Sequence, residues 1–360
     1  MNYQKRISRL RARFDELGVD AFLISKLENI FYLSGFTGST AQVVITGDNL
    51  LFLTDFRYEE QFYEEVYAGF ELVNFYHESL GSKLDELARK HRFSKLGIES
   101  DFVSLRASEE IMEKARAFKV VPCASVVESL REVKDDEEVG IIRQAIGIVE
   151  DAFRELVSIL RPNVKESDLA AEFEYRIRKR KAKRASFSPI VAFGPNSAKP
   201  HAGFSEQELI PGVPLTFDLG VAYGGYCSDL TRTVFFGGVS EGWERIYNIV
   251  RTAKDASAKY GKAEMRCAEL DKCARTIIEN EGFGENFGHG LGHGVGIEVH
   301  EKPRIGKNSE DTLKEGSVIT IEPGIYIKKQ GGIRIEDMYL VRSNRLERLN
   351  NLNDELMIIG

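Results

Sequence analysis

Cysteine is scarce in this chain. Only four occur in 360 residues (Cys123, Cys227, Cys267 and Cys273), and no two fall at CxxC spacing. That argues against a thiolate zinc site or a disulfide framework and leaves free, buried thiols in a reducing compartment. No apolar run approaches the roughly 20 residues that a membrane helix needs. Residues 1–14 intersperse Lys5, Arg6, Arg9, Arg11 and Arg13 with helical apolar positions, which is not the core of a signal peptide. A basic stripe is missing too, and the net charge of -7 argues against a nucleic-acid surface. Nor is there a phosphate loop: GFTGST (35–40) lacks the GxxxxGK[ST] pattern and reads as a turn. What remains is an ordinary cytoplasmic globular protein, 42% hydrophobic and 29% charged, with neither membrane nor nucleic acid as partner.

The informative residues are acidic ones in the wrong place. FDLGVAYGGYCSDLTRT (217–233), GHGLGHGVGIEVHE (288–301), TIEPG (320–324) and GGIRIED (331–337) set Asp218, Asp229, His293, Glu322 and Glu336 among glycines and β-formers. Carboxylates are depleted in strands because burying a charge is costly unless it is paired or bound to a cation. Gly224-Gly225 reads as the centre of a two-residue hairpin turn, where positive φ is required. That register puts Tyr223 opposite Tyr226 and Asp218 opposite Thr231, with Asp229 a diagonal neighbour of Asp218 about 7–8 Å away. A second hairpin holds Glu322 and Glu336, with a longer turn whose register the sequence leaves open. Alternation puts Ile333 and Ile335 on one face and Arg334 with Glu336 on the other, so Arg334 is expected to orient Glu336, or else to form a solvated salt bridge. Four carboxylates, one imidazole and no thiolate favour Mn²⁺, Co²⁺ or Fe²⁺ over Mg²⁺ or a lone Zn²⁺. Two bridging carboxylates suit a pair of ions about 3.5–4 Å apart.

The motifs FDLGxxxxGYxSDxTRT, GHGxGxExHE, xxTxEPGxY and GGxRxED, in this order, resemble the pita-bread metallopeptidases, in particular the Xaa-Pro dipeptidase (prolidase) and aminopeptidase P branch. The resemblance implies two divalent metal ions, Mn²⁺ or Co²⁺ first, with Fe²⁺ or Zn²⁺ as alternatives. In this reading Asp218 chelates the first ion, Asp229 and Glu336 bridge both, and His293 with Glu322 completes the second. Glu322 would also shuttle the proton. The resemblance further assigns His201, in KPHAGF, a place near the scissile bond, although Ala202 stands where the family has glycine. His300 would steady the substrate carbonyl. Arg304, in HEKPR, would hold the carboxylate of a substrate proline, against the alternative of a loop arginine in solvent. His289 stays open between a supporting and a purely structural role, and Cys227 reads as packing. The implied substrates are Xaa-Pro dipeptides. The alternatives are the N-terminal Xaa-Pro bond of longer peptides, as in aminopeptidase P, or a non-enzymatic binding module, which the complete ligand set argues against.

Two domains are expected, an α/β domain over 1–128 and an α+β domain over 135–360, with the boundary near Ser129 to Lys134. The first alternates short β-rich runs with amphipathic helices. By resemblance it is the non-catalytic, creatinase-like domain that makes the contacts of a homodimer; TDFRY (54–58) is either an internal Asp55–Arg57 ion pair or part of the path to the site. The second is internally doubled. Helices at 135–160 and 166–182 precede the Asp218/Asp229 hairpin, helices at 241–260 and 268–281 precede the Glu322/Glu336 hairpin, and the carboxylate pairs recur after about a hundred residues. Such a pseudo-twofold repeat is the pita-bread architecture.

Overall fold

The computed structural model describes all 360 residues, which divide into two units, Met1–Arg131 and Glu132–Gly360. The first is built on a six-stranded mixed sheet in the spatial order Glu71–Asn74, Leu50–Thr54, Gln42–Thr46, Ala21–Ile24, Lys95–Glu99, Lys119–Cys123. Its central strand Ala21–Ile24 is fully buried, as the unbroken apolar run AFLI requires. The helix expected near the N-terminus is interrupted: Tyr3–Arg11 and Phe14–Leu17 are separate, and Gly18 closes the second at φ 65°. Asp55 and Arg57 form an ion pair within this unit, at 2.8 Å.

The second unit carries the doubled order. Asp136–Ser158 starts from a capping box in which Asp135 and Glu138 each accept the other's backbone N–H, and Glu166–Lys179 follows it. These helices pack on a four-stranded sheet, Ile358–Ile359, Leu230–Phe236, Pro214–Leu219 and Ile190–Phe193. The pair Glu241–Tyr260 and Cys267–Asn280 packs on a five-stranded sheet, Glu301–Ile305, Gly292–Gly294, Val318–Ile321, Asp337–Val341 and Leu346–Arg348. Each half thus has its own apolar core, one around Phe153, Phe173 and Phe217, the other around Tyr247, Ile319 and Ile333.

Phe235 of the first sheet is buried in the second core, and around it the halves are joined by directional polar contacts. Thr231 O accepts from Glu336 N at 3.1 Å, and Thr233 Oγ1 accepts from Arg334 N at 3.1 Å while donating to Arg334 O at 3.0 Å. Beneath this seam lies a buried ionic cluster. The Asp337 carboxylate, fully buried, takes Arg232 Nη2 at 2.6 Å, Lys254 Nζ at 2.6 Å and Arg348 Nη2 at 2.8 Å. Lys254 also meets Asp354, and Arg232 Nη1 donates to the carbonyls of Thr231 (2.9 Å) and Glu336 (2.5 Å). Burial alone would raise the Asp337 carboxyl, but the Arg232, Lys254 and Arg348 charges hold it at about 2. Its contribution to stability is therefore complete at neutral pH and is lost only as pH falls from the ordinary carboxylate range of about 4 toward 2. Asp337→Asn should leave buried cations under-compensated and lower the unfolding free energy of this unit by about 3–5 kcal/mol in urea titrations at pH 7; a loss below about 1 kcal/mol would show that the cluster does not join the halves.

Candidate metal centre

The first hairpin forms as its glycines dictate. Gly224 and Gly225 take φ of 57° and 84°, Tyr223 pairs with Tyr226, and Asp218 pairs with Thr231. Asp229 lies just before the Leu230–Phe236 strand and is buried. In the second half the register left open by the sequence is settled by two pairings. Val318–Ile321 runs antiparallel to Asp337–Val341 with Ile321 opposite Asp337, so Glu322 and Glu336 leave the ends of adjacent strands. Between them Gly324–Ile327 and Gly331–Arg334 form a separate ribbon that turns at Lys328–Gln330. His293 occupies the middle of the Gly292–Gly294 strand, wedged between its neighbours. A Cβ on Gly292 would stand 2.2 Å from Thr320 O, and one on Gly294 2.0 Å from Lys302 O, so only glycine on both sides of His293 lets the three strands close.

The structure brings the five expected side chains to one cavity of about 600 Å³. The donor atoms of Asp229, His293 and Glu336 lie within 4.8 Å of one another. His293 Nε2 is 3.3 Å from Glu322 Oε1 and 3.7 Å from Asp229 Oδ2. Its Nδ1 faces Gly294 O at 3.1 Å, so Nε2 is the nitrogen offered to the carboxylates. Burial raises the Asp229 carboxyl well above its usual value, and the charges of Glu336, Asp218 and Glu322 push it further. Glu336 is raised likewise, by burial and then by Glu322 and Asp218. Glu322 goes the other way: burial opposes ionisation, but the hydrogen bond and charge of His293 hold it at about 2. His293 is correspondingly raised, Glu322 outweighing the loss of solvation.

This set fits a divalent cation. Asp218 Oδ1 and Asp229 Oδ1 are buried acceptors with no hydrogen-bond donor, where nearly every such atom in a folded protein has one. Crowded carboxylates with orphaned oxygens are relieved by a local positive charge, and the hard oxygen and imidazole donors match borderline to hard divalent ions.

The surrounding groups correct one expectation. Arg334 does not hold Glu336; its Nη2 donates to Asp218 Oδ2 at 2.6 Å and its Nη1 to Tyr326 Oη at 2.6 Å. A guanidinium is long enough to cross to the facing sheet, which strand alternation cannot register. Glu336 is oriented instead by Thr231, whose Oγ1 donates to Glu336 Oε2 at 2.7 Å and accepts from Arg334 Nε at 3.2 Å. Thr231 and Tyr326 went unread in the sequence as site residues, although Thr231 is the cross-strand partner of Asp218 and Tyr326 closes EPGxY. His289 is structural in its contacts, with Nδ1 2.7 Å from Gly290 O and Nε2 3.0 Å from Tyr326 Oη, and burial lowers its pKa. It thereby stands at the end of a chain through Tyr326 and Arg334 to Asp218. His300 stacks edgewise on His293 with ring centroids 4.3 Å apart, and burial followed by the His293 charge lowers its pKa. His201 and Arg304 are exposed residues on the cavity wall, which Phe187, Ile190 and Ile305 make partly apolar. Cys227 is buried, bonds Ile297 O through Sγ at 3.3 Å, and has its thiol pushed up to about 12 by burial, so it is no nucleophile.

Comparison with known proteins agrees over the whole length. Residues 140–343 match the model of metallopeptidase family M24, and residues 6–133 that of the creatinase/prolidase N-terminal domain. The Xaa-Pro dipeptidase of Pyrococcus furiosus is 36% identical over 98% of this chain and 100% of its own. The solved Xaa-Pro dipeptidase from Bacillus anthracis superposes with a TM-score of 0.96 at 37% identity, covering 99% of this chain and 100% of that one. An X-Pro aminopeptidase from Thermotoga maritima follows at a TM-score of 0.90 and 36% identity, over 96% and 100%. From its creatinase-type first domain through its pita-bread second domain, the chain belongs to metallopeptidase family M24, whose members work with divalent metal ions.

Proposed function

We propose that this protein hydrolyses the peptide bond preceding proline, with Xaa-Pro dipeptides as its preferred substrates. The observation that carries the reading is the convergence of four buried carboxylates from two distant hairpins, two with undonated oxygens, around His293. Asp218, Asp229, His293, Glu322 and Glu336 would hold two divalent ions, Mn²⁺ or Co²⁺ in first place and Fe²⁺ or Zn²⁺ as alternatives, with Asp229 and Glu336 shared. When bound, such ions acidify a water and polarise an amide carbonyl.

The chain's own residues do the rest. An Xaa-Pro bond is a tertiary amide without N–H, so recognition must rest on the carbonyl, the ring and the chain ends. His300, beside His293 on the cavity wall, hydrogen-bonds the carbonyl oxygen as it gains charge. Glu322, ionised at neutral pH, accepts the proton of the attacking water on its carboxylate and returns it to the departing prolyl nitrogen. His201 flanks the scissile bond from the exposed side, and Arg304 meets the proline carboxylate with two parallel donors. A cavity of about 600 Å³ has room for a dipeptide. Acting on the N-terminal Xaa-Pro bond of longer peptides is the second reading, favoured by the likeness to the Thermotoga maritima enzyme. Four free cysteines and the absence of any helix able to cross a membrane support a cytoplasmic setting, and the family resemblance supports a homodimer.

Because Asp229, Glu336 and His293 all hold their protons more tightly than usual, Mn²⁺ binding should expel protons and weaken as pH falls. Titration calorimetry in buffers of different ionisation heat reads this directly, and a heat independent of buffer would contradict it. Asp229→Ala should remove the shared ligand, cut turnover by more than about 100-fold and lower the bound-metal count, with an unchanged circular dichroism spectrum; near-normal turnover would refute the shared role. Arg304→Ala should raise KM for an Xaa-Pro dipeptide about tenfold or more, the worth of a charge-assisted pair, and raise it less for an Xaa-Pro tripeptide. Equal effects on both peptides would make Arg304 a bystander, and no dipeptide hydrolysis by the Mn²⁺-loaded wild type would favour the aminopeptidase reading.

A further inference from the structure

The segment that leads into the catalytic unit carries a buried lysine that the chemistry above does not use. The Lys134 side chain is 1% exposed; its Nζ lies 3.1 Å from Glu301 Oε2 and donates to Glu132 O at 3.2 Å. Glu301 is the chain neighbour of His300, and its own side chain is only 7% exposed. Its second oxygen, Oε1, accepts from Glu298 N at 3.1 Å. A Cβ on Gly296 would stand 2.4 Å from Glu301 Oε2, so the loop has folded tightly onto this carboxylate. The same loop is tied to the strand before Asp229, Cys227 N donating to Gly296 O at 2.7 Å.

The other side of this segment is anchored as well. Lys134 N donates to Gly316 O at 2.9 Å, and Val133 bridges Ser317, the residue before the Val318–Ile321 strand that leads into Glu322. Glu132, buried too, takes Lys314 Nζ at 2.6 Å. Residues 132–134 are therefore stitched by backbone to the Glu322 strand and by one ion pair to the His300 loop. A surface pair of this kind would do little, but this one is shielded from water, and each partner fixes a segment that faces the site.

We propose that Lys134 is a positioning residue: through Glu301 it fixes the loop 296–301 and so the aim of His300. This rests on the role given to His300 above. The chain is short enough to test, because Lys134 touches Glu301, and Glu301 and His300 share a peptide bond. Displacing a group by about 1 Å can cost a reaction as much as about 100-fold, so a residue that never meets substrate can still set kcat.

The test is a double-mutant cycle with an independent spectroscopic mark. Lys134→Met, with folding checked by circular dichroism and metal content by mass spectrometry, should lower kcat on Ala-Pro by about tenfold or more with the metal count unchanged. On a His300→Ala background the same change should cost less than about twofold, since the group it aims is gone. Should Lys134→Met fold poorly, Glu301→Gln, which retains acceptor capacity for Glu298 N, should give a smaller loss in the same direction. In metal-free protein the ring-proton NMR signal of His300 should move in Lys134→Met while those of His77 and His91 stay. Multiplicative losses in the double variant, or an unmoved His300 signal, would overturn the proposal. A silent His300→Ala together with a shifted signal would instead overturn the role given to His300 and leave the positioning intact.

Discussion

The structure depends on making like charges tolerable in one small buried volume. Burial would drive Asp218, Asp229, Glu322 and Glu336 toward the neutral acid, and the Glu322 charge adds to this at the other three. Two protein cations answer part of this: Arg334 on Asp218 and the imidazole of His293 beside Glu322. Of the remaining acids, Asp229 meets His293 Nε2 only at 3.7 Å and Glu336 takes a neutral hydroxyl from Thr231, so bound divalent ions would complete the compensation. A site built this way is poised for metal because the protein's own cations and hydroxyls answer only part of the buried negative charge.

Holding that arrangement is the task of the seam between the two halves. Each half has its own helix pair, and the apolar tie between them includes Phe235 of the first sheet buried in the second core, a non-directional contact that does not fix register. Directional bonds fix it. Thr231 and Thr233 exchange hydrogen bonds with Arg334 and Glu336, and Arg232 grips the carbonyls of Thr231 and Glu336 while pairing with Asp337. Next to Glu336 the chain places Asp337, and next to Thr231, the strand partner of Asp218, it places Arg232; both face the opposite side and fix the backbone. The alternation of a strand makes this possible: Glu336 points to the cavity and Asp337 to the buried cluster.

Much of this was legible beforehand, for local reasons. Gly224-Gly225 can form only a narrow class of turns, so the pairing of Asp218 with Thr231 followed from counting outward. The glycines and β-formers around His293 form the crowded Gly292–Gly294 strand, and the helix expected from residue 135 begins at Asp136. Arg334 was misjudged because face and reach are different properties. Alternation says which side of a strand a residue leaves; it does not say where a flexible guanidinium ends. The link from His289 through Tyr326 was invisible for the same reason, since it joins the tips of side chains from two elements.

By itself the sequence determined the chemical inventory, the turn-defined hairpin, and the doubled order of helices and hairpins. Those are properties of spacing and residue type, set within a few turns of chain by backbone sterics and side-chain period. Only the tertiary structure decided which oxygen faces which donor: that Arg334 serves Asp218, that Thr231 aims Glu336, and that Lys134 reaches Glu301 across 167 positions of chain. Such pairings depend on how two cores pack against a shared seam, and no local period encodes the distance between segments so far apart.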